Sequence, residues 1–249
     1  MRRNILITGG SAGLGAEMAR QFAAKGHNLA LTARREERLK TLRDELITAH
    51  PGLQVVVHKL DVNDHEQVFK VFRAADAELD GGLDRIIVNA GIGKGAPLGT
   101  GRFDANLETA QTNFIAALAQ AEAAMELFRA KNAGHLVFIS SVAAVRGLPK
   151  TVTTYAATKA AVATLAEGLQ LELLGKPIKV SAIYPGYIRS ELNEKVSNTP
   201  LIVDTVPGVR AMVAAIEAEK TKAFVPPWPW APLARVLRFA PLPLLKRMV

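Results

Sequence analysis

Tyr155 and Lys159 stand four residues apart in the stretch Tyr155-Ala156-Ala157-Thr158-Lys159, so a helix through them carries both side chains on one face. Such a pair can move a proton. A free tyrosine, with a pKa near 10, is a poor base at neutral pH, but an ammonium group one turn away stabilises the phenolate and brings it toward its working range. Taken alone, the pair also suits an amphipathic helix whose lysine is solvated.

A second chemical signal is Thr8-Gly9-Gly10-Ser11-Ala12-Gly13-Leu14-Gly15, set between a strand-like run and a helix-like one. That is where helix N-terminal N–H groups meet a pyrophosphate and where glycines, here Gly9, Gly13 and Gly15 with Ser11 and Leu14 between them, let the backbone come close. The next strand ends Leu31-Thr32-Ala33-Arg34-Arg35. An NAD-specific fold would carry an acid there for the ribose 2′-hydroxyl. Arg34 and Arg35 instead can grip a 2′-phosphate through paired charge-assisted hydrogen bonds, so NADP(H) is the expected cofactor. The competing reading has Arg35, Glu36, Glu37 and Arg38 pairing among themselves at the start of a solvated helix. Asp61-Val62 is placed to meet the adenine edge, unless Asp61 serves the N-terminus of the following helix.

The elements that must position these groups alternate along the chain. Strand-like runs at 4–8, 28–33, 54–59, 85–89, 135–140 and 179–184 are interleaved with helical patterns at 13–25, 35–49, 64–79, 107–131, 154–174 and 207–219. The runs are apolar on both faces, as parallel strands covered by helices on each side require. Right-handed crossovers then give a doubly wound α/β sheet, a Rossmann fold. A chain of 249 residues fits one such domain. We place it at 1–225, followed by a Pro- and Trp-rich basic tail at 226–249.

In order, the glycine turn, Asn89-Ala90-Gly91, Asn113, Ser140-Ser141, the Tyr155/Lys159 pair and Pro185-Gly186 resemble the motif series of the short-chain dehydrogenases/reductases, over residues 4–190. The resemblance implies a catalytic tetrad. Tyr155 would be the general acid in carbonyl reduction and the base in alcohol oxidation. Lys159 would lower its pKa and hold the nicotinamide ribose, Ser141 would bond the substrate oxygen, and Asn113 would hold a water that resupplies the proton. It implies further that Asn89, Ala90 and Gly91 pass beside the adenosine ribose. Pro185, Gly186 and the backbone of Ile188 would then bind the carboxamide, with Ser190 replacing a more usual threonine. Ser141 precedes Tyr155 by 14 residues, one more than the family's usual spacing, and the insertion is expected in the loop 146–154. Ser140 is the fallback for the catalytic serine, since it faces the opposite side if the strand continues.

Other chemistries are less well served. With no cysteine, and with His27, His50, His58, His65 and His135 lacking a spacing that sets two ligands on one helix face, no metal site is expected. The net charge of +8 comes without a basic stripe interleaved with aromatics, so nucleic acid is not an expected partner. Neither a signal-peptide-like run nor a stretch of ~18 apolar residues occurs, and the expected location is cytoplasmic.

The expected substrate is a small apolar carbonyl or alcohol, because the lid segment 187–206 offers Leu192, Val196, Leu201, Ile202 and Val203. Arg146 and Lys150 either meet an anionic carrier or belong to a solvated loop. In the tail, Leu233, Val236, Leu237 and Ala240 recur at helical spacing with Arg235 and Arg238 opposite, after Trp228 and Trp230. This segment either lies on an anionic membrane surface or packs on a neighbouring subunit or over the lid. A homodimer or homotetramer is expected by resemblance. The readings that compete with the enzyme are a non-enzymatic NADP(H)-binding interaction protein and one half of a two-enzyme epimerase.

Overall fold

Strand runs buried from end to end, such as Asn4–Thr8 and Asn28–Ala33, have no face to offer water, so helices must cover both sides. The structure, a computed structural model that describes residues 2–190 and 201–248, arranges them in that way. Strands β1 (Asn4–Thr8), β2 (Asn28–Ala33), β3 (Val55–Lys59), β4 (Arg85–Val88), β5 (Gly134–Ile139), β6 (Ile178–Pro185) and β7 (Lys222–Val225) form one parallel sheet. Its order is β3-β2-β1-β4-β5-β6-β7. Strand alternation sorts the core. Leu6, Ile86, Leu136 and Ala182 face α3 (His65–Glu78), α5 (Ala116–Lys131) and α6 (Thr153–Glu172), while Ile5, Ile7, Ile87, Val137 and Ile183 face the opposite layer. That layer holds α1 (Gly13–Ala23), α2 (Glu36–Ala49) and α7 (Thr205–Glu217).

The expected helix ends at α1, α2, α3, α6 and α7 fall within two residues of those observed. Three features differ. The helix expected over 107–131 starts earlier, as α4 (Phe103–Ala110), and passes through a π-helical turn, Gln111–Ile115, before α5. Strand β7 was not expected, because four residues beginning with a lysine give no pattern of their own and pair only through the β6 register. Beyond Pro226 the chain folds back as α8 (Pro227–Phe239) against β7 and the 3-10 turn Val142–Val145, followed by α9 (Leu242–Met248). Of the expected apolar stripe, Ala240 is buried and Leu233 and Leu237 are half-buried, beside the buried Trp230 and Ala234, whereas Val236 is 53% exposed.

At the amino end of the strands a closed ionic cluster fastens the sheet. Arg85, 2% exposed, pairs with Glu217 of α7 and donates to His135 Nδ1 at 2.9 Å. On its other side, His135 Nε2 lies 2.8 Å from Ser181 Oγ. Burial, aided by the positive charge of Arg85, pushes the His135 pKa down to about 2 and keeps the ring neutral.

Candidate active site

Strand order reverses between β1 and β4, and open α/β sheets bind ligands in the crevice beyond the carboxyl ends of the strands at such a switch point. A cleft of about 1080 Å³ lies there, slightly beyond the ~300–1,000 Å³ typical of small-molecule pockets. Every expected cofactor-end residue lines it: Gly9, Ser11, Gly13, Leu14, Gly15, Arg34, Arg35, Asp61, Val62, Asn89, Ala90, Gly91, Pro185, Gly186, Ile188 and Ser190. So do Ser141, Tyr155 and Lys159. Asn113, 1% exposed, is set behind the wall.

The turn after β1 is tied to the end of β4. Asn89 Nδ2 donates to the Thr8 carbonyl at 2.8 Å, and Thr8 Oγ1 accepts from the amides of Asn89 and Ala90 at 3.0 and 3.1 Å. This knot brings α1 so close that a Cβ at Gly15 would stand 2.3 Å from the Gly9 carbonyl oxygen, which is why only glycine is accommodated. Backbone of Gly9, Gly13 and Gly15 therefore forms the cleft wall at the α1 N-terminus, where partial positive charge gathers. Arg34 and Arg35 are exposed beside it, and Arg35 Nε reaches Ser11 Oγ at 3.3 Å. Glycine backbone, two guanidiniums and space together suit a dinucleotide that carries an extra phosphate. Asp61 shapes the turn before α3 by accepting from the Asn63 amide at 3.0 Å, while Asp64 caps that helix.

At the other end, α6 sets Tyr155 and Lys159 on its inward face as the i, i+4 spacing demands. Tyr155 is half-buried, and Lys159 Nζ sits 5.9 Å from its ring centroid. Burial brings the Lys159 ammonium down to about 8, and Nζ donates to the Ile139 carbonyl at 2.9 Å. Burial also raises the Tyr155 phenol above its ordinary range; a hydrogen bond with Ser141 pulls it partly back, and the Tyr187 phenol adds to the rise. The two serines diverge. Ser140 Oγ donates to the Lys159 carbonyl at 2.8 Å, whereas Ser141 caps the 3-10 turn by accepting from the Ala143 amide at 3.1 Å and meets Tyr155.

Asn113 lies in the π-helical turn, a local device common at functional sites. Its side chain accepts from the Ile92 amide at 2.8 Å and donates to the Ile92 carbonyl at 2.9 Å, so it fixes the turn next to Lys159.

One wall comes from the tail, read from sequence as lying on a membrane surface or packing on a neighbouring subunit or over the lid. Trp230, Leu233 and Leu237 of α8 line the cleft, as do Leu148 and Val152. The Trp230 indole lies so flat on Gly186 that a Cβ there would be 2.0 Å from Nε1. Arg146, read from sequence as a ligand for an anionic carrier or a solvated residue, is neither alone: it lines the cleft and its guanidinium donates to the carbonyls of Arg238 and Ala240, both at 3.2 Å. A cation on the last carbonyls of a helix complements its dipole and holds α8 in place. The available signal was the i, i+3, i+7 recurrence of Trp230, Leu233 and Leu237. Of the expected lid residues, Leu201 lines the cleft and Val203 bridges to Ile188; Leu192 and Val196 lie outside the described residues.

The profile described as short chain dehydrogenase matches residues 3–201. An uncharacterized oxidoreductase of Mycobacterium tuberculosis is 52% identical over 246 residues, 99% of this chain and 97% of its own. Among solved structures, the short-chain dehydrogenase of Sphingobium yanoikuyae in complex with NADPH is 28% identical with a TM-score of 0.83, over 98% of this chain and 95% of that one. A short chain dehydrogenase/reductase of Burkholderia phymatum in complex with NAD, 21% identical, shares the fold with a TM-score of 0.83 over 94% of this chain and 92% of its own.

Proposed function

This chain belongs to the short-chain dehydrogenase family, and from that premise we propose that it is an oxidoreductase that transfers hydride between NADP(H) and an apolar carbonyl or alcohol. One observation carries the reading: Tyr155, with Ser141 acting on its phenol and the Lys159 ammonium 5.9 Å from its ring, opens into the same cleft that Arg34 and Arg35 border. The complex of the Sphingobium yanoikuyae relative with NADPH supports the choice of cofactor.

Arg34 and Arg35 would hold the 2′-phosphate, the glycine turn the pyrophosphate, and Ile188 the carboxamide. A bound nicotinamide supplies or accepts the hydride. In reduction, Ser141 orients the carbonyl oxygen, and Tyr155 Oη delivers its proton to that oxygen as the carbon gains hydride. The phenolate left behind is stabilised by the ammonium of Lys159, and the proton returns along Lys159 from a water held near Asn113. Oxidation runs the same path backwards, with Tyr155 as base. Leu148, Val152, Leu233, Leu237 and Trp230 give the substrate end its apolar character.

The test is oxidation of NADPH and of NADH by the purified protein across a panel of carbonyl compounds, beside Tyr155→Phe. Turnover that prefers NADPH and disappears in the variant is expected. Tight NADPH binding with no turnover in either protein, on any compound, would overturn the enzyme reading.

A further inference from the structure

Helix α8 is apolar on two opposite faces. Trp230, Leu233 and Leu237 turn toward the cleft. Pro232, Arg235, Val236 and Phe239 recur at i, i+3, i+4 and i+7 on the far side, where a solvated helix normally shows charges. There Val236 is 53% and Phe239 80% exposed. Trp228, just before the regular turns of α8, is 78% exposed, and Leu242, which opens α9, is 70% exposed. Large apolar side chains exposed together beside basic ones mark a contact surface.

The charges on this patch identify what contacts it. Arg235, Arg238 and Lys246 are exposed, and the sequence holds no Asp or Glu after Glu219. A second copy docking by the same face would bring these cations against their own copies, since a two-fold interface is self-complementary. Nucleic acid would neutralise the arginines and leave Trp228 and Phe239 in water. An anionic bilayer meets both needs, phosphates for the guanidiniums and the acyl boundary for the aromatic rings. No described helix is long and apolar enough to cross a membrane, so contact would be in the interface plane.

We propose that the outer face of α8, with the start of α9, docks on an anionic phospholipid surface. The inner face of the same helix walls the cleft, about one helix diameter or ~10 Å away. A carbonyl compound dissolved in the bilayer then reaches Tyr155 along α8 with little transit through water. This substrate class rests on the oxidoreductase reading; the docking does not.

The experiment is co-sedimentation of the purified protein with vesicles of phosphatidylcholine alone or with about one-third phosphatidylglycerol, at low salt and at ~0.5 M salt. Wild type should pellet with the anionic vesicles at low salt only. Val236→Ser/Phe239→Ser should stay in the supernatant. Each basic side chain near such a surface strengthens binding about fivefold, so Arg235→Gln/Arg238→Gln should bind about 25-fold more weakly. Matching circular dichroism verifies that both variants fold, and the exposed arginine pair tests the idea even if the apolar pair does not. Both should oxidise NADPH with a water-soluble carbonyl as wild type does, which separates failure of docking from failure of the enzyme reading. Equal supernatants for wild type with both vesicle types would overturn the proposal. So would variants that pellet like wild type, or a wild-type dimer in light scattering that both variants break.

Discussion

The two ends of the same sheet treat buried polar groups in opposite ways. At the amino end, Arg85, Glu217, His135 and Ser181 satisfy one another, and the hollow beside them is only about 310 Å³. At the carboxyl end, the buried Ser141 and the half-buried Tyr155 border a cleft of about 1080 Å³, and the Lys159 ammonium is held at about 8 by burial, donating to the Ile139 carbonyl. Desolvating a charge is costly unless partners offset it. One end offsets the cost within the folded chain; the other leaves part of it for a ligand. Stability should therefore respond to one end and chemistry to the other.

Substitutions can break that division. Tyr155→Phe should lower turnover by about 10²–10⁴-fold and leave both the NADPH titration and the urea midpoint near wild type. A midpoint that fell with activity would show the carboxyl end to be structural as well. Conversely, Glu217→Ala strands the buried guanidinium of Arg85 and should reduce stability by about 3 kcal/mol in urea unfolding, with kcat/KM unchanged wherever the protein is folded. Lost activity in that folded variant would join the two ends.

Two smaller effects sharpen the contrast. Arg34→Ser/Arg35→Ser should raise the KM for NADPH about tenfold to a hundredfold, the worth of one or two charge-assisted hydrogen bonds, and leave that for NADH alone; equal effects on both would remove the 2′-phosphate role. The smallest is a pH effect. Because the Lys159 pKa is about 8 when folded, against an ordinary lysine value of 10.5, the unfolded chain binds more protons between those values and stability rises with pH. The rise should be about 1 kcal/mol from pH 7 to pH 9 in the ligand-free protein. Lys159→Met should flatten it, and an identical slope in both proteins would place the titrating group elsewhere.

What could be read from the sequence was what is local. The turn 9–15 and the pair Tyr155/Lys159 each lie on one element, so spacing alone says which atoms face together, and both border the cleft. The alternation of β1, β2 and β4 likewise made the parallel sheet legible before any partner was known. Contacts between distant segments were not legible. The π-helical turn answers to Asn113 gripping Ile92, 21 residues away, and β7 exists through its register with β6. An apolar stripe in α8 revealed a helix that needs covering, but Val236 and Leu237 are equally apolar, and only packing on Gly186 and β7 turns Leu237 toward the cleft and Val236 away from it.

Strand order also sets a timetable. Parallel strands wound outward from β1 put the glycine turn and Arg34 early in the chain, while the wall made by Trp230 and Leu237 waits for β7 to be laid against β6. During synthesis the amino-terminal part emerges first. The pyrophosphate end of the cleft is thus encoded before its substrate wall, while Pro185, Gly186 and Ile188, at and just after the end of β6, fall between the two.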